Sequence, residues 1–202
     1  MREVRWKITM ACVVLLLYVA APAPSTAQKR KPAAKPIPKT MTVGKIGDAL
    51  FDGHWHLQVL SAQTADSYAM KTDAEPYDYI NLSTFDLTKR VFTPKRGNTL
   101  VVVSCRVSNG QGSPQRLWTA ISDNKVHTAL MDANGGSHPP IGYDFEGGPI
   151  QTQPLSPQAA LDFAVVFSVP QDTKLKELLF TLRNNSTFEK GTDARVSLST
   201  EQ

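Results

Sequence analysis

Two stretches of strict apolar–polar alternation constrain the fold of this chain more than any other feature. Apolar side chains occupy every second position through 101–107, and this stretch ends at the turn pair Asn109-Gly110. The same pattern fills 161–169 and ends at Pro170. A period of two is that of a β-strand with one buried face. We expect the three valines at 101–103 inside a sheet, because an open edge of that composition would aggregate.

Shorter strand signals and frequent turns fill the rest of the chain after Met41. Trp55, Leu57 and Val59 alternate with polar residues, and weaker strand signals lie at 42–51, 78–87, 126–132, 177–183 and 194–199. Turns rich in Gly, Asn and Pro separate them, and no twelve-residue stretch shows a helical stripe. Seven or eight strands in about 160 residues predict an all-β fold, an antiparallel β-sandwich over 41–202. Its long connections, where binding is expected, would be 61–77 and 134–154.

The N-terminal forty residues predict export. Residues 1–27 combine a cationic start, an apolar run and a small-residue end, which predicts a signal peptide cleaved after Ala27. An uncleaved signal that anchors the chain is the alternative. Residues 28–40 are rich in Lys, Pro and Ala and predict a disordered tether, either a solvated spacer or an electrostatic attachment to an anionic envelope or lipid surface. We therefore expect a periplasmic or secreted protein whose membrane contact is at most peripheral.

The charge of the chain is concentrated at its N-terminus. Of 22 Lys+Arg and 18 Asp+Glu, eight basic side chains and one acidic side chain lie within 1–39, which leaves 14 and 17, a net charge of −3, for 40–202. A mildly acidic domain does not favour nucleic-acid binding. The predicted mature chain keeps one cysteine, Cys105, so its stability must come from a core and not from an internal disulfide.

Three segments resemble the motifs of one family. Residues 91–109 resemble its block of a glycine, a long strand and an asparagine, here Gly97 and Asn109. Residues 130–135, Leu-Met-Asp-Ala-Asn-Gly, resemble its short strand that ends in an Asp-x-x-Gly turn. Residues 155–170 resemble its strand that ends in Phe-x-Val-Pro.

The family comprises bacterial secreted proteins and lipoproteins of unknown function that are similar to the immunoprotective extracellular protein fold. The resemblance covers roughly 42–183 and departs at 156–158, where Ser-Pro-Gln replaces the usual Gly-Glu, and in lacking a lipid-attachment cysteine. It implies an immunoglobulin-like sandwich outside the cytoplasm and no catalytic residue.

Histidines offer one alternative chemistry. His54 and His56 are two apart on a predicted strand, so both rings would leave the same face and could bind a metal ion with His127 or His138 as a third ligand. The simpler interpretation is that both are outward polar residues beside a buried Trp55. We expect no cofactor.

Other candidate sites lie in the predicted loops. Asp144 and Glu146 form a carboxylate pair that could act in sugar cleavage, in a run expected to be an exposed loop. Aromatic side chains there and in the other loop could stack on a sugar or a peptide. The binding candidates are Tyr68, Tyr77, His138, Tyr143 and Phe145.

No nucleophile or phosphate-binding motif is present. Gly-x-Ser-x-Gly, Gly-x-Gly-x-x-Gly and the Gly-Lys-Ser/Thr loop do not occur. Cys105 shares its strand face with Val103 and Val107, which predicts a buried, inert thiol. We therefore expect a non-enzymatic domain that binds a protein or polymer of the cell envelope, with oligomeric state left open and metal delivery as the alternative.

Overall fold

The computed structural model describes residues 40–72, 80–118, 127–145, 154–184 and 191–198. Within these ranges the chain forms β-strands and one short 3-10 turn at Leu82–Thr84. The strands are β1 (Val43–Lys45), β2 (Ala49–Phe51), β3 (Trp55–Ala65), β4 (Tyr68–Ala69), β5 (Phe85–Asp86), β6 (Val91–Phe92), β7 (Asn98–Asn109), β8 (Ala129–Asp132), β9 (Ser137–His138), β10 (Pro140–Phe145), β11 (Ala160–Pro170), β12 (Leu175–Leu182) and β13 (Thr192–Ser197).

The two strongest strand predictions form the centre of the main sheet, which has the order β10-β11-β7-β3-β2. β7 and β11 run antiparallel and in register from Ser108 opposite Ala160 to Asn98 opposite Pro170. β7 is the middle strand of the five, so the valines at 101–103 are paired on both sides. The expectation that this row avoids an edge is therefore confirmed.

A second sheet, with the order β1-β13-β12-β8-β9, packs against one face of the main sheet. All its pairs are antiparallel except β1 with β13. The core between the two sheets joins the odd-numbered side chains of β7 and β11 to apolar side chains of the second sheet, such as Leu130, Leu178, Phe180 and Val196. The predicted β-sandwich is therefore confirmed.

A small sheet, β4-β6-β5, covers part of the other face of the main sheet, which we call the outer face. A second apolar cluster lies beneath it. Leu100 and Val166 of the main sheet pack there with Phe85 and Phe92 of the small sheet, and all four side chains are buried. Main-sheet strands are therefore covered on both faces at this end.

Several predicted strands have different bounds. The segment 42–51 splits into β1 and β2, which belong to different sheets, because the chain turns at Gly47, whose φ of 91° favours glycine. Of 78–87, residues 85–86 form β5, while 73–79 lie outside the described residues. The strands predicted at 126–132, 177–183 and 194–199 correspond to β8, β12 and β13.

The prediction of two long loops is partly wrong. β3 continues to Ala65, so the connection expected at 61–77 begins later and also contains β4. The connection expected at 134–154 contains β9 and β10, and all six residues of β10 are buried. Gly142 and Asp144 indicated a loop, but they occupy a strand whose outer face is covered by another part of the chain.

The predictions for the N-terminus concern residues outside the described part of the chain. Residues 1–39 hold the predicted signal peptide and all of the tether but its last residue, and they are not among the described residues. In the ranges that are described, no helix has the length and apolar character needed to cross a bilayer.

Candidate functional site

A row of small side chains crosses the outer face of the main sheet. The strand registers align Ser61 of β3 with Ser104 of β7, Ser104 with Ala164 of β11, and Ala164 with Asp144 of β10. Alternation along β7, β10 and β11 directs Ser104, Asp144 and Ala164 away from the sandwich core, and Ser61 shares this face because it pairs with Ser104. Because neighbouring strands lie about 4.8 Å apart, the row is about 14 Å long. It forms the floor of a concave site of about 270 Å³, which we call the trough.

One wall of the trough is the segment 66–72, which we call the strap. The Asp144 carboxylate fixes the strap: its Oδ2 accepts hydrogen bonds from Tyr68 Oη (2.7 Å) and the Lys71 amide (2.8 Å). Its Oδ1 accepts one from the Thr72 amide (3.3 Å). Asp144 is only 2% exposed, so these donors replace the water that its charge would otherwise bind.

The strap is also part of the small sheet, because it contains β4. The Met70 amide donates to the Arg90 carbonyl (2.9 Å), and the Arg90 guanidinium donates to the Thr72 carbonyl. The half-buried Tyr68 ring packs beside Phe92, with ring centroids 6.4 Å apart. These contacts join the strap to both the main and the small sheet, so the trough wall has a defined position.

An ion pair borders the opposite side of the trough. Arg106 of β7 lies across from Asp162 of β11, and its Nε and Nη2 donate to the two carboxylate oxygens at 2.6 and 2.8 Å. This hydrogen-bonded pair, with burial opposing it and the charges of Arg106 and Lys71 reinforcing it, lowers the pKa of Asp162. The carboxylate is therefore charged at neutral pH and fixed in a two-pronged contact.

A β-bulge shapes the end of the trough on β3. The register between β3 and β7 shifts between Val59 and Ser61, so Leu60 is an extra residue without a partner in the ladder. Its side chain is 40% exposed and lines the trough. Bulges re-aim side chains in this way beside functional sites.

Of the predicted aromatic candidates, Tyr68 lines the trough. Tyr143 and Phe145 are 1% and 2% exposed and pack in the sandwich core, so the expectation that they lie on an exposed loop is wrong. Burial raises the pKa of the Tyr143 phenol. His138 lies on β9, away from the trough, and Tyr77 is outside the described residues.

The predicted metal ligands occupy three different surroundings. His56 stacks on Phe51 with ring centroids 4.3 Å apart, and His54 is exposed in the turn before β3. His127 Nδ1 lies 3.3 Å from the Asp193 carboxylate on β13. Among the described residues, no three His, Cys, Asp or Glu side chains come together as a metal-ligand group.

One member of the predicted carboxylate pair, Asp144, lies among the described residues. Asp144 supports the strap from a buried strand, in contrast to the exposed loop that we expected, and Glu146 lies outside the described residues. The Cys105 thiol is fully buried, so its predicted burial is confirmed, and burial raises its pKa, which favours the unreactive thiol form.

Two motif residues from the resemblance have structural roles. Asn109 is 1% exposed and holds two loops: its Nδ2 donates to the Ser113 and Leu155 carbonyls, and its Oδ1 accepts from the Gln111 amide. Asp132 closes the β8–β9 turn. Its Oδ1 accepts from the amides of Asn134 and Gly136, and its Oδ2 lies 3.0 Å from His138 Nε2.

The trough itself was missed by sequence reasoning. Ser61, Ser104 and Ala164 carry no motif, and only the strand registers bring them into one row. The alternation of 101–107 and 161–169 did place Ser104 and Ala164 on the polar faces of their strands. What it could not supply was the alignment of those faces or the strap above them.

Comparison with known proteins gives structural neighbours only. No family model and no curated protein matches the sequence. An uncharacterised β-sandwich protein of Clostridium difficile 630 is similar at 10% identity with a TM-score of 0.47, covering 84% of this chain and 100% of that one. The yjhA protein of Bacillus subtilis is similar at 14% identity with a TM-score of 0.47, covering 77% and 99%. The β-sandwich assignment rests on the sheets of this chain.

Proposed function

We propose that this chain is an exported, non-enzymatic immunoglobulin-like domain that binds a protein or polymer of the cell envelope through the trough. The observation that carries the proposal is the trough itself: a concave polar row on the outer face, beside a region where the same face is buried under apolar packing. Concave sites with a few converging polar groups are the usual places of ligand binding.

The geometry favours binding over catalysis. The Asp144 carboxylate accepts three hydrogen bonds from the strap, and Asp162 is engaged by Arg106 through both oxygens. A general acid or base needs a carboxyl group that can exchange a proton with the substrate. These two carboxylates instead hold the walls of the trough in position, which is what a preformed binding surface requires.

The N-terminal tether supports the proposed location of the domain at the cell envelope. Residues 28–40 carry five basic side chains and no acidic one, so they would attract an anionic envelope surface and increase the local concentration of the domain there. Such attraction between exposed charges weakens as salt screens it. Deletion of 28–39 should therefore reduce envelope association at low salt and leave a smaller, salt-insensitive component that comes from the trough.

The decisive experiment is capture of envelope material by two matched variants. Ser104 and Ser108 lie on the same face of β7 and are both partly exposed, but only Ser104 lines the trough. Ser104→Leu should fill the floor and abolish capture from solubilised envelope, whereas Ser108→Leu should capture as well as the unchanged chain. Equal capture by both variants, with both folded by circular dichroism, would refute a trough-borne site.

A further inference from the structure

We infer that the trough takes a neutral, hydroxyl-rich ligand, a short stretch of uncharged saccharide. This inference rests on the proposed function, since it names the ligand class of the same site. It follows from three properties of the trough: its charge balance, its direction across the strands and the chemistry of its floor.

The charges around the trough cancel. Lys71 and Arg106 supply two positive charges, and Asp144 and Asp162 supply two negative charges. Asp162 is bound by Arg106, and Asp144 is buried under the strap, so the four charges sum to zero and the trough as a whole favours neither a strongly anionic nor a strongly cationic ligand. A neutral ligand needs no opposite charge in the trough, and the charged side chains there can still make strong hydrogen bonds to its hydroxyl groups.

The direction of the trough disfavours an extended peptide. Peptides that bind β-sandwiches by strand addition pair their backbone with an open sheet edge. The trough instead crosses four strands. β3, β7 and β11 are hydrogen-bonded on both sides, and at the edge strand β10 the Asn81 amide already donates to the Ile141 carbonyl. A peptide lying in it would find no backbone ladder to extend.

The floor and walls match the mixed surface of a sugar. Ser61 and Ser104 offer hydroxyl groups that both donate and accept, as sugar hydroxyls do. The Tyr68 ring and the Leu60 side chain supply apolar surface at the margins, suited to the C–H faces of sugar rings. The volume of about 270 Å³ is near the lower end of ligand sites and is far larger than a single small ion needs.

The test is a titration of the isotope-labelled chain with defined probes, followed by NMR. The probes are the β-1,4 tetramers of glucose and of N-acetylglucosamine, with a polyglutamate peptide as the anionic comparison, each up to about 10 mM to reveal millimolar Kd values. We expect at least one tetramer to shift the amide signals of Ser61, Ser104 and Ala164, and polyglutamate to leave them unchanged. Ser104→Leu should weaken tetramer binding at least about tenfold, and Ser108→Leu should not.

A second variant guards against misfolding of the first. Lys71→Ala removes an exposed side chain but keeps the main-chain amide that donates to Asp144. It should weaken the tetramer about tenfold, as expected for loss of one charge-assisted hydrogen bond.

The two proposals fail in different ways. If neither tetramer binds while envelope capture still depends on Ser104, the saccharide inference is wrong and the trough binds another class of ligand. Tetramer binding that ignores both Ser104→Leu and Lys71→Ala would also overturn the inference, because the sugar would bind elsewhere. Envelope capture that is indifferent to Ser104→Leu would refute the proposed function itself.

Discussion

The two asparagines at the ends of β7 allow a quantitative test of how the sandwich is held together. At the end of the strand, Asn109 makes three hydrogen bonds to main-chain groups of the adjacent loops, each 2.8 Å long. At the start, the Asn98 side chain makes one, a 3.0 Å donation to Ser168 Oγ. Both residues keep their main-chain places in the sheet when the side chain is truncated. The comparison therefore isolates the side-chain hydrogen bonds.

The expected magnitudes follow from those bond counts. A neutral hydrogen bond contributes about 1 kcal/mol net, and Asn109, itself only 1% exposed, makes three of them. Asn109→Ala should therefore lower the free energy of unfolding by about 3 kcal/mol, and Asn98→Ala by about 1 kcal/mol. For a domain of this size these losses correspond to Tm decreases of about 6–12 °C and about 2–4 °C.

Calorimetry and urea unfolding at neutral pH would measure both variants. Hydrogen exchange should localise the effect of Asn109→Ala to the amides of Gln111 and Leu155, because the loops lose their common anchor. Equal Tm decreases for the two variants would refute the reasoning. So would an Asn109→Ala loss below about 1 kcal/mol, since the three hydrogen bonds together would then contribute less than one is expected to.

Three further predictions address the strap, the β8–β9 turn and the thiol. Asp144→Ala should lower the free energy of unfolding by about 2–4 kcal/mol and speed hydrogen exchange of the strap amides. Tyr68→Phe, which removes one of the three hydrogen bonds to Asp144, should lower it by about 1 kcal/mol. Equal losses would contradict the role of Asp144 in fixing the strap. The hydrogen bond from His138 lowers the pKa of Asp132, so the stabilisation of the fold that results is present above the unfolded pKa near 3.8 and is lost as the pH falls through the lower folded pKa. In acid titrations monitored by circular dichroism, Asp132→Asn should reduce this dependence of stability on pH. An unchanged dependence would contradict the prediction. Cys105 should react with a thiol reagent only in denaturant, and rapid labelling of the native chain would show that the core opens locally.

The sequence alone predicts the part of the fold that depends on local alternation. β7 and β11 were predicted because their inward residues repeat every second position over a long stretch. β10 was missed because it is buried on both faces and so shows no alternation, and because Gly142 and Asp144 are typical of loops. Asp144 is buried because the strap, some seventy residues earlier in the chain, supplies its hydrogen-bond donors. A period-two pattern carries no information about such a distant cover.

The sequence identified one residue of the site but not which candidates would be exposed. Tyr68 was a candidate because aromatic residues in connections often bind, and it does line the trough. Tyr143 and Phe145 satisfied the same criterion and are core residues, since their strand pairs with β11 and points them at Phe163 and its neighbours. Which aromatic residue is exposed depends on strand pairing, and pairing depends on contacts between distant segments.

The position of Asp144 connects the stability of the fold to the shape of the proposed site. Its carboxylate is the end of the trough floor and also the anchor of the trough wall, so one side chain fixes both surfaces relative to each other. A wall positioned before binding lowers the entropy cost of association, because the strap need not be ordered by the ligand. Loss of this anchor would therefore weaken binding even where the floor residues Ser61 and Ser104 are unchanged. Asp144 thus acts as a positioning residue, and the strap's contribution to affinity should follow its protection from hydrogen exchange.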